Sequence, residues 1–308
     1  MLYCFRWIEK ACAKAADRQP GNNRTEESCT MALMTLNFES EYLNQAQYVT
    51  VVLPDKPDGQ TAAQFYENHE KYKVLWLLHG TYGIGNEWIR RTNVELYASR
   101  RNMIVVMPDA LNSDYVSWPG FALGYDYPNF FTKELMPLIH NWLPASDKKE
   151  DNFIAGLSMG GQGATQLGFS YPELFARIGA FSYPLINYHN HPDGKVFGEG
   201  YPQYEARFLR QVANQGGMEA FMNSPYNTWD RFFEAPAPLP PIHFFIGKED
   251  FFWPVYCEMK AELKKRGRDD VLLTEYEGLH HEWAVWDQAV RTFIDECDSE
   301  TVGAGFRY

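Results

Sequence analysis

No apolar run in this chain approaches the roughly 20 residues that cross a bilayer, which argues against a helical membrane protein. Cationic residues are in short supply. Lys and Arg number 28 against 40 Asp and Glu, a formal net charge of -12 at pH 7. A nucleic-acid binder needs a basic face to neutralise phosphates, so that class is set aside. The acidity is spread along the chain and speaks for solubility. Cysteine is scarce as well: Cys4, Cys12, Cys29, Cys257 and Cys297. The number is odd and no C-x-x-C pair occurs, so free thiols in a reducing compartment are expected rather than a disulfide framework. No apolar h-region opens the chain, because Arg6, Glu9 and Lys10 interrupt Leu2-Tyr3-Cys4-Phe5. A cytoplasmic location is expected. No G-K-[ST] follows a glycine-rich loop and no H-x-x-x-H occurs, so neither a nucleotide, a metal nor another cofactor is expected.

What is present is ample apolar material: 45% hydrophobic and 16% aromatic residues in a chain of 308. That suits one large α/β domain. Residues 1–30 are unlike the rest. They hold three of the five cysteines and a polar stretch, 17–28, too polar to bury much surface. A mobile extension is expected there, with the folded domain at 31–308. From 31 onward the chain alternates. Strands are expected at 47–53, 73–80, 103–108, 152–155, 177–181, 242–246 and 271–275. Helices are expected at 86–100, 126–143, 255–266 and 282–295, one more following residue 158. Residues 184–235 break this rhythm, with a helical patch at 204–214 and many aromatics. An excursion of that length between core strands usually covers a site. The economical fold is a doubly wound, mostly parallel sheet with helices on both faces and a small inserted cap.

Gly156-Leu157-Ser158-Met159-Gly160 has the form G-x-S-x-G and lies between an apolar strand and a small-residue helix. A serine at such a strained strand-to-helix turn is pushed out where a base and a substrate reach it. The amide of Met159 then points at a reacting carbonyl from a helix start. A serine at neutral pH needs a base, and the base an orienting acid, in the chain order Ser, acid, His. After the strand at 242–246 come Gly247-Lys248-Glu249-Asp250. Glu249 and Asp250 both fit, and Asp250 is favoured because the turn must aim the acid back over the sheet. After the strand at 271–275 come His280 and His281. Neighbours point in different directions, and His281, beside the helix start at Glu282, is the choice. The other six histidines lack the required order; His79, at a strand end, shapes its loop. A second oxyanion donor is expected from the glycine-rich loop 79–85.

These residues carry a likeness. Leu77-Leu78-His79-Gly80, Trp88 with Arg91-Thr92-Asn93-Val94-Glu95, Gly124-Tyr125-Asp126-Tyr127, Ile154 to Gly161, Gly247 to Phe251 and His281-Glu282-Trp283 resemble the esterase D / tributyrin esterase group of α/β-hydrolases. That group also includes S-formylglutathione hydrolases, feruloyl and acetylxylan esterases and the mycolyltransferase antigens. The resemblance covers roughly 31–293. It implies Ser158 as nucleophile, Asp250 as acid, His281 as base, and the Thr81 and Met159 amides as the oxyanion hole. Two departures stand out. Ser117-Trp118-Pro119 replaces the Trp-Tyr step the group often has after the 103–108 strand, and the loop 79–85 carries no cysteine, which S-formylglutathione hydrolases tend to have there. Trp118, Phe251 and Trp283 are candidate substrate contacts, although aromatics here also serve as core. The expected activity is hydrolysis of short acyl esters, acetyl to butyryl, on a small-molecule or carbohydrate alcohol. Alternatives are an acetylxylan or feruloyl esterase, an S-formylglutathione hydrolase, an acyltransferase, or a non-catalytic binding protein on the same fold. The sequence is also compatible with a homo-oligomer.

Overall fold

The computed structural model describes residues 30–56, 60–197, 201–235 and 237–298. The expected N-terminal extension falls outside them apart from Thr30. Among the described residues, eight strands form one sheet: β1 (Thr30–Ser40), β2 (Gln45–Asp55), β3 (Val74–Leu78), β4 (Ile104–Pro108), β5 (Asn152–Leu157), β6 (Arg177–Phe181), β7 (Ile242–Gly247) and β8 (Leu272–Tyr276). Their spatial order is β1-β2-β4-β3-β5-β6-β7-β8. Only β2 runs against the others, pairing antiparallel with β1 and β4. The rest pair parallel.

The central strands are buried on both faces, so their side chains divide by parity. Val74, Trp76 and Leu78 of β3 join one core layer with Ile154 and Ile178, while Leu75 and Leu77 join the other with Phe153, Ala155 and Phe181. The first layer is closed by the helix Met159–Ser170 and by Trp253–Lys265. The second is closed by Trp283–Cys297, whose Val285, Ala289, Val290 and Phe293 face inward. This is the doubly wound arrangement expected. Among the described residues no helix is long and apolar enough to cross a membrane.

Two readings are corrected, and one strand is added. The helix expected at 86–100 is two, Glu87–Arg91 and Val94–Ser99, because Thr92 turns extended (φ -135°, ψ 172°). Its hydroxyl bonds the Trp88 carbonyl and accepts the Val94 amide, so it competes with the backbone ladder. The helix expected at 126–143 runs as Tyr127–Asn129, a π-helical turn Phe130–Leu135, and Met136–Trp142. Pro137 lacks an N–H and its ring would strike the carbonyl one turn back, and widening the preceding turn relieves that clash. Finally, β1 was not assigned from sequence. Its run of Met, Ala and Leu favours helix by propensity, and eleven-residue pairing with β2 overrides that. Among the described residues between β6 and β7 lie three helices, Pro202–Asn214, Met218–Met222 and Thr228–Phe233.

Candidate active site

Ser158 stands at the junction of β5 and the helix Met159–Ser170 with φ 52° and ψ -117°, a conformation that strains any L-residue. Its amide donates to the Phe181 carbonyl of β6 at 2.8 Å, which locks the turn to the neighbouring strand. The flanking glycines are required by close approach. A Cβ on Gly156 would overlap the backbone of Gly160, and one on Gly160 would overlap the Leu78 carbonyl of β3. Ser158 itself remains partly exposed.

The turn after β7 and the loop after β8 are stitched together. Lys248 N–H donates to the Tyr276 carbonyl at 2.9 Å and Glu249 N–H to the Leu279 carbonyl at 3.0 Å. That stitching sets Asp250 beside His281, 31 residues on, with Oδ2 2.8 Å from Nδ1. The other carboxylate oxygen accepts the Phe252 amide at 2.9 Å, so both oxygens are engaged and the carboxylate is buried. Of the residues left open by the sequence, Glu249 is exposed and His280 turns its Nδ1 to the Glu249 carbonyl at 3.2 Å. The Phe251 ring lies on the His281 imidazole with centroids 4.3 Å apart, and Trp286 meets it edge-on at 5.1 Å. The imidazole is thus held on two sides.

The loop after β3 is pinned at several points. His79 Nε2 accepts the Ala110 amide at 2.9 Å, and its Nδ1 faces the Gly80 carbonyl at 2.8 Å. An acceptor on one nitrogen and a donor on the other fix the neutral Nδ1–H tautomer. Asn112 Oδ1 accepts the Tyr82 amide at 2.8 Å, and Asp109 Oδ1 the Gly85 amide at 2.6 Å. Neither the Thr81 nor the Met159 amide donates to an acceptor among the described residues.

Complete burial pushes the His79 imidazole down to about 4. The unfolded chain binds this proton near pH 6.5 and the folded chain does not, so stability falls as pH drops below 6.5. Between pH 7 and pH 5 this one group is expected to cost about 2 kcal/mol. The check is urea unfolding of wild type and His79→Gln at both pH values. The wild type should lose about 2 kcal/mol more than the variant, and parallel pH profiles would refute the assignment.

A pocket of about 400 Å³ opens beside Thr81, walled by Tyr82, Trp118, Phe121, Tyr204 and Arg207. Trp118 is therefore placed at a cavity, its indole N–H held by the Ser113 carbonyl at 2.7 Å. Phe251 sits on His281 instead. Trp283 reaches neither: it packs edge-on against Trp88 and Trp286 in the second core layer, under the Arg91 guanidinium. Sequence reasoning missed Arg207 and Tyr204. The signal was a cation three residues after Tyr204 and next to buried Phe208, on the inward stripe of the helix Pro202–Asn214.

The fold is of the α/β-hydrolase type. Residues 40–251 match the esterase family model, described as "Putative esterase", and the chain belongs to that family. It is a serine esterase. It is 28% identical to an acetyl esterase of Caldicellulosiruptor saccharolyticus over 264 residues, 84% of this chain and 96% of that protein. A solved S-formylglutathione hydrolase from Staphylococcus aureus is 26% identical with a TM-score of 0.67, over 87% of this chain and 98% of that one. A ferulic acid esterase from Anaeromyces mucronatus shares the fold at 18% identity and a TM-score of 0.57, over 93% and 94% of the two chains.

Proposed function

We propose that the protein hydrolyses carboxylic esters of short acyl groups, acetyl to butyryl, with Ser158 as nucleophile, His281 as general base and Asp250 as the acid that orients it. The observation that carries this reading is the 2.8 Å contact of the buried Asp250 carboxylate with His281 Nδ1, in a fold where Ser158 occupies the strained turn. Asp250 holds the imidazole in the tautomer that leaves Nε2 free to accept the serine proton, and stabilises the imidazolium that follows. Ser158 Oγ attacks the ester carbonyl. The oxyanion is received by the unpartnered Thr81 and Met159 amides, the second at a helix N-terminus where the dipole favours negative charge. His281 returns its proton to the leaving alcohol, and water, activated by the same imidazole, resolves the acyl-enzyme.

The acyl length rests on what surrounds His281. Phe251, on the imidazole, is itself packed by Tyr201 and Phe197 of the segment between β6 and β7, at 5.3 and 6.0 Å between centroids. Aromatic filling of this kind leaves little room for an alkyl chain. The open pocket beside Thr81 and Trp118 would take the alcohol portion. Each added methylene gains about 0.8 kcal/mol only while there is space, and overpacking costs roughly 1–3 kcal/mol beyond that. A p-nitrophenyl ester series is expected to show kcat/KM peaking from acetyl to butyryl and falling sharply by octanoyl. A maximum at octanoyl or beyond would end the short-acyl reading. Acetylated xylan oligosaccharides, methyl ferulate and S-formylglutathione, run beside the series, separate the carbohydrate-ester and thioester alternatives.

A further inference from the structure

We infer that Arg207 is a positioning residue for the oxyanion hole, tying the helix Pro202–Asn214 to both residues whose amides form it; this rests on the assignment of Thr81 and Met159 above. Arg207 Nη1 donates to Thr81 Oγ1 at 3.0 Å and lies 3.9 Å from Met159 Sδ. Its Nη2 is 3.0 Å from Asp114 Oδ1. The guanidinium also packs over the Tyr204 ring, 5.4 Å from its centroid. One rigid, planar cation thus reaches the side chains of both residues whose amides would form the oxyanion hole, and a buried carboxylate.

The alternative role for an arginine at a pocket wall is to bind an anionic substrate. Asp114 argues against it. Its side chain is 3% exposed, and although burial raises its carboxyl pKa, the Arg207 charge beside it works the other way, so Arg207 already has a counter-charge within the protein. The aspartate is itself held in a left-handed turn, φ 54°, followed by Tyr115 at φ 58°. The Tyr115 hydroxyl donates to the His79 carbonyl at 2.7 Å. The same turn therefore fixes Arg207 and the end of β3 that leads to Thr81. His79, Asn112 and Asp109 pin the loop from the sheet side, whereas Arg207 holds it from the helix between β6 and β7. Through Arg207 the placement of that helix bears on where the Thr81 amide points.

A lysine keeps the charge beside Asp114, but its donors all sit on one compact nitrogen and lack the planar fork that spans Thr81, Met159 and Asp114 at once. Arg207→Lys is expected to lower kcat by about 10- to 100-fold with KM changed less than about threefold, because a displaced donor is felt mainly in the transition state. The second-order rate of labelling by a fluorophosphonate should fall in parallel, since its attack also develops charge on an oxygen held in the same hole. Arg207→Ala would strand the buried Asp114 charge and is confounded by misfolding, so the neutral pair Asp114→Asn/Arg207→Met, checked by melting temperature, is the second variant and should show the same kcat loss. Thr81→Val combined with Arg207→Lys should lose no more than the larger single effect if the two act as one unit. An Arg207→Lys enzyme with normal kcat and a raised KM would make Arg207 a substrate contact and overturn the inference. So would additive losses in the double variant. Retained activity in Ser158→Ala would instead overturn the underlying triad, whatever Arg207 does.

Discussion

Ser158→Ala is expected to lower kcat by roughly five to six orders of magnitude while leaving the fold intact. The size follows from the way a nucleophile, base and acid act as a unit: removing the nucleophile removes the covalent route, and only binding and the oxyanion hole remain. The fold survives because the hydroxyl carries no packing in the core; Ser158 is partly exposed and its structural bond is made by the backbone N–H to Phe181. The left-handed φ of 52° offers a further check. Ser158→Gly should be equally inactive yet more stable than Ser158→Ala by about 1–3 kcal/mol, since glycine releases the strain. Kinetics of the two variants, their melting temperatures, and mass-spectrometric mapping of a fluorophosphonate adduct test this together. Near-normal turnover in Ser158→Ala, or an adduct on another residue, would show that the nucleophile lies elsewhere.

The second large effect separates two adjacent histidines. His281→Ala is expected to lower kcat by several orders of magnitude, and His280→Ala to retain most of it. The two rings differ in everything that matters for a base. His281 Nδ1 meets a buried carboxylate whose other oxygen is fixed by an amide, and its faces are packed by Phe251 and Trp286. His280 is exposed and faces only a backbone carbonyl. Asp250→Asn should cost about 10⁴ in kcat, because an amide can present its N–H to Nδ1 and favour the wrong tautomer, while Glu249→Gln should cost little. Steady-state kinetics of the four variants decide the matter. A reversed order for His280 and His281 would move the base one residue along the loop.

Much of this was legible in the chain itself. Period-two alternation and continuous apolar runs located seven of the strands, since a strand buried on both faces has no choice but to be apolar throughout. The G-x-S-x-G turn was legible because its glycines answer to a local steric demand: the backbone of Gly160 passes against Leu78 and Gly156 too closely for any Cβ. Order along the chain pointed to Asp250 and His281 for a similar reason, as loops at the ends of parallel strands converge over one crevice. The likeness to the esterase group pointed to Thr81 as the oxyanion donor proposed here.

What the chain did not reveal depends on contacts between distant residues. Whether Thr92 would break a helix, or Pro137 widen one, turned on bonds and clashes one turn away that propensity averages over. Trp283 and Phe251 are both aromatic neighbours of the site in sequence. Only packing set the first against the core beside Trp88 and laid the second on His281. Arg207 lies 126 residues from Thr81 and 93 from Asp114, and no motif links the three. Local sterics and periodicity are written in short stretches and so can be read there. An ion pair that closes across the fold exists only once the sheet has placed its partners.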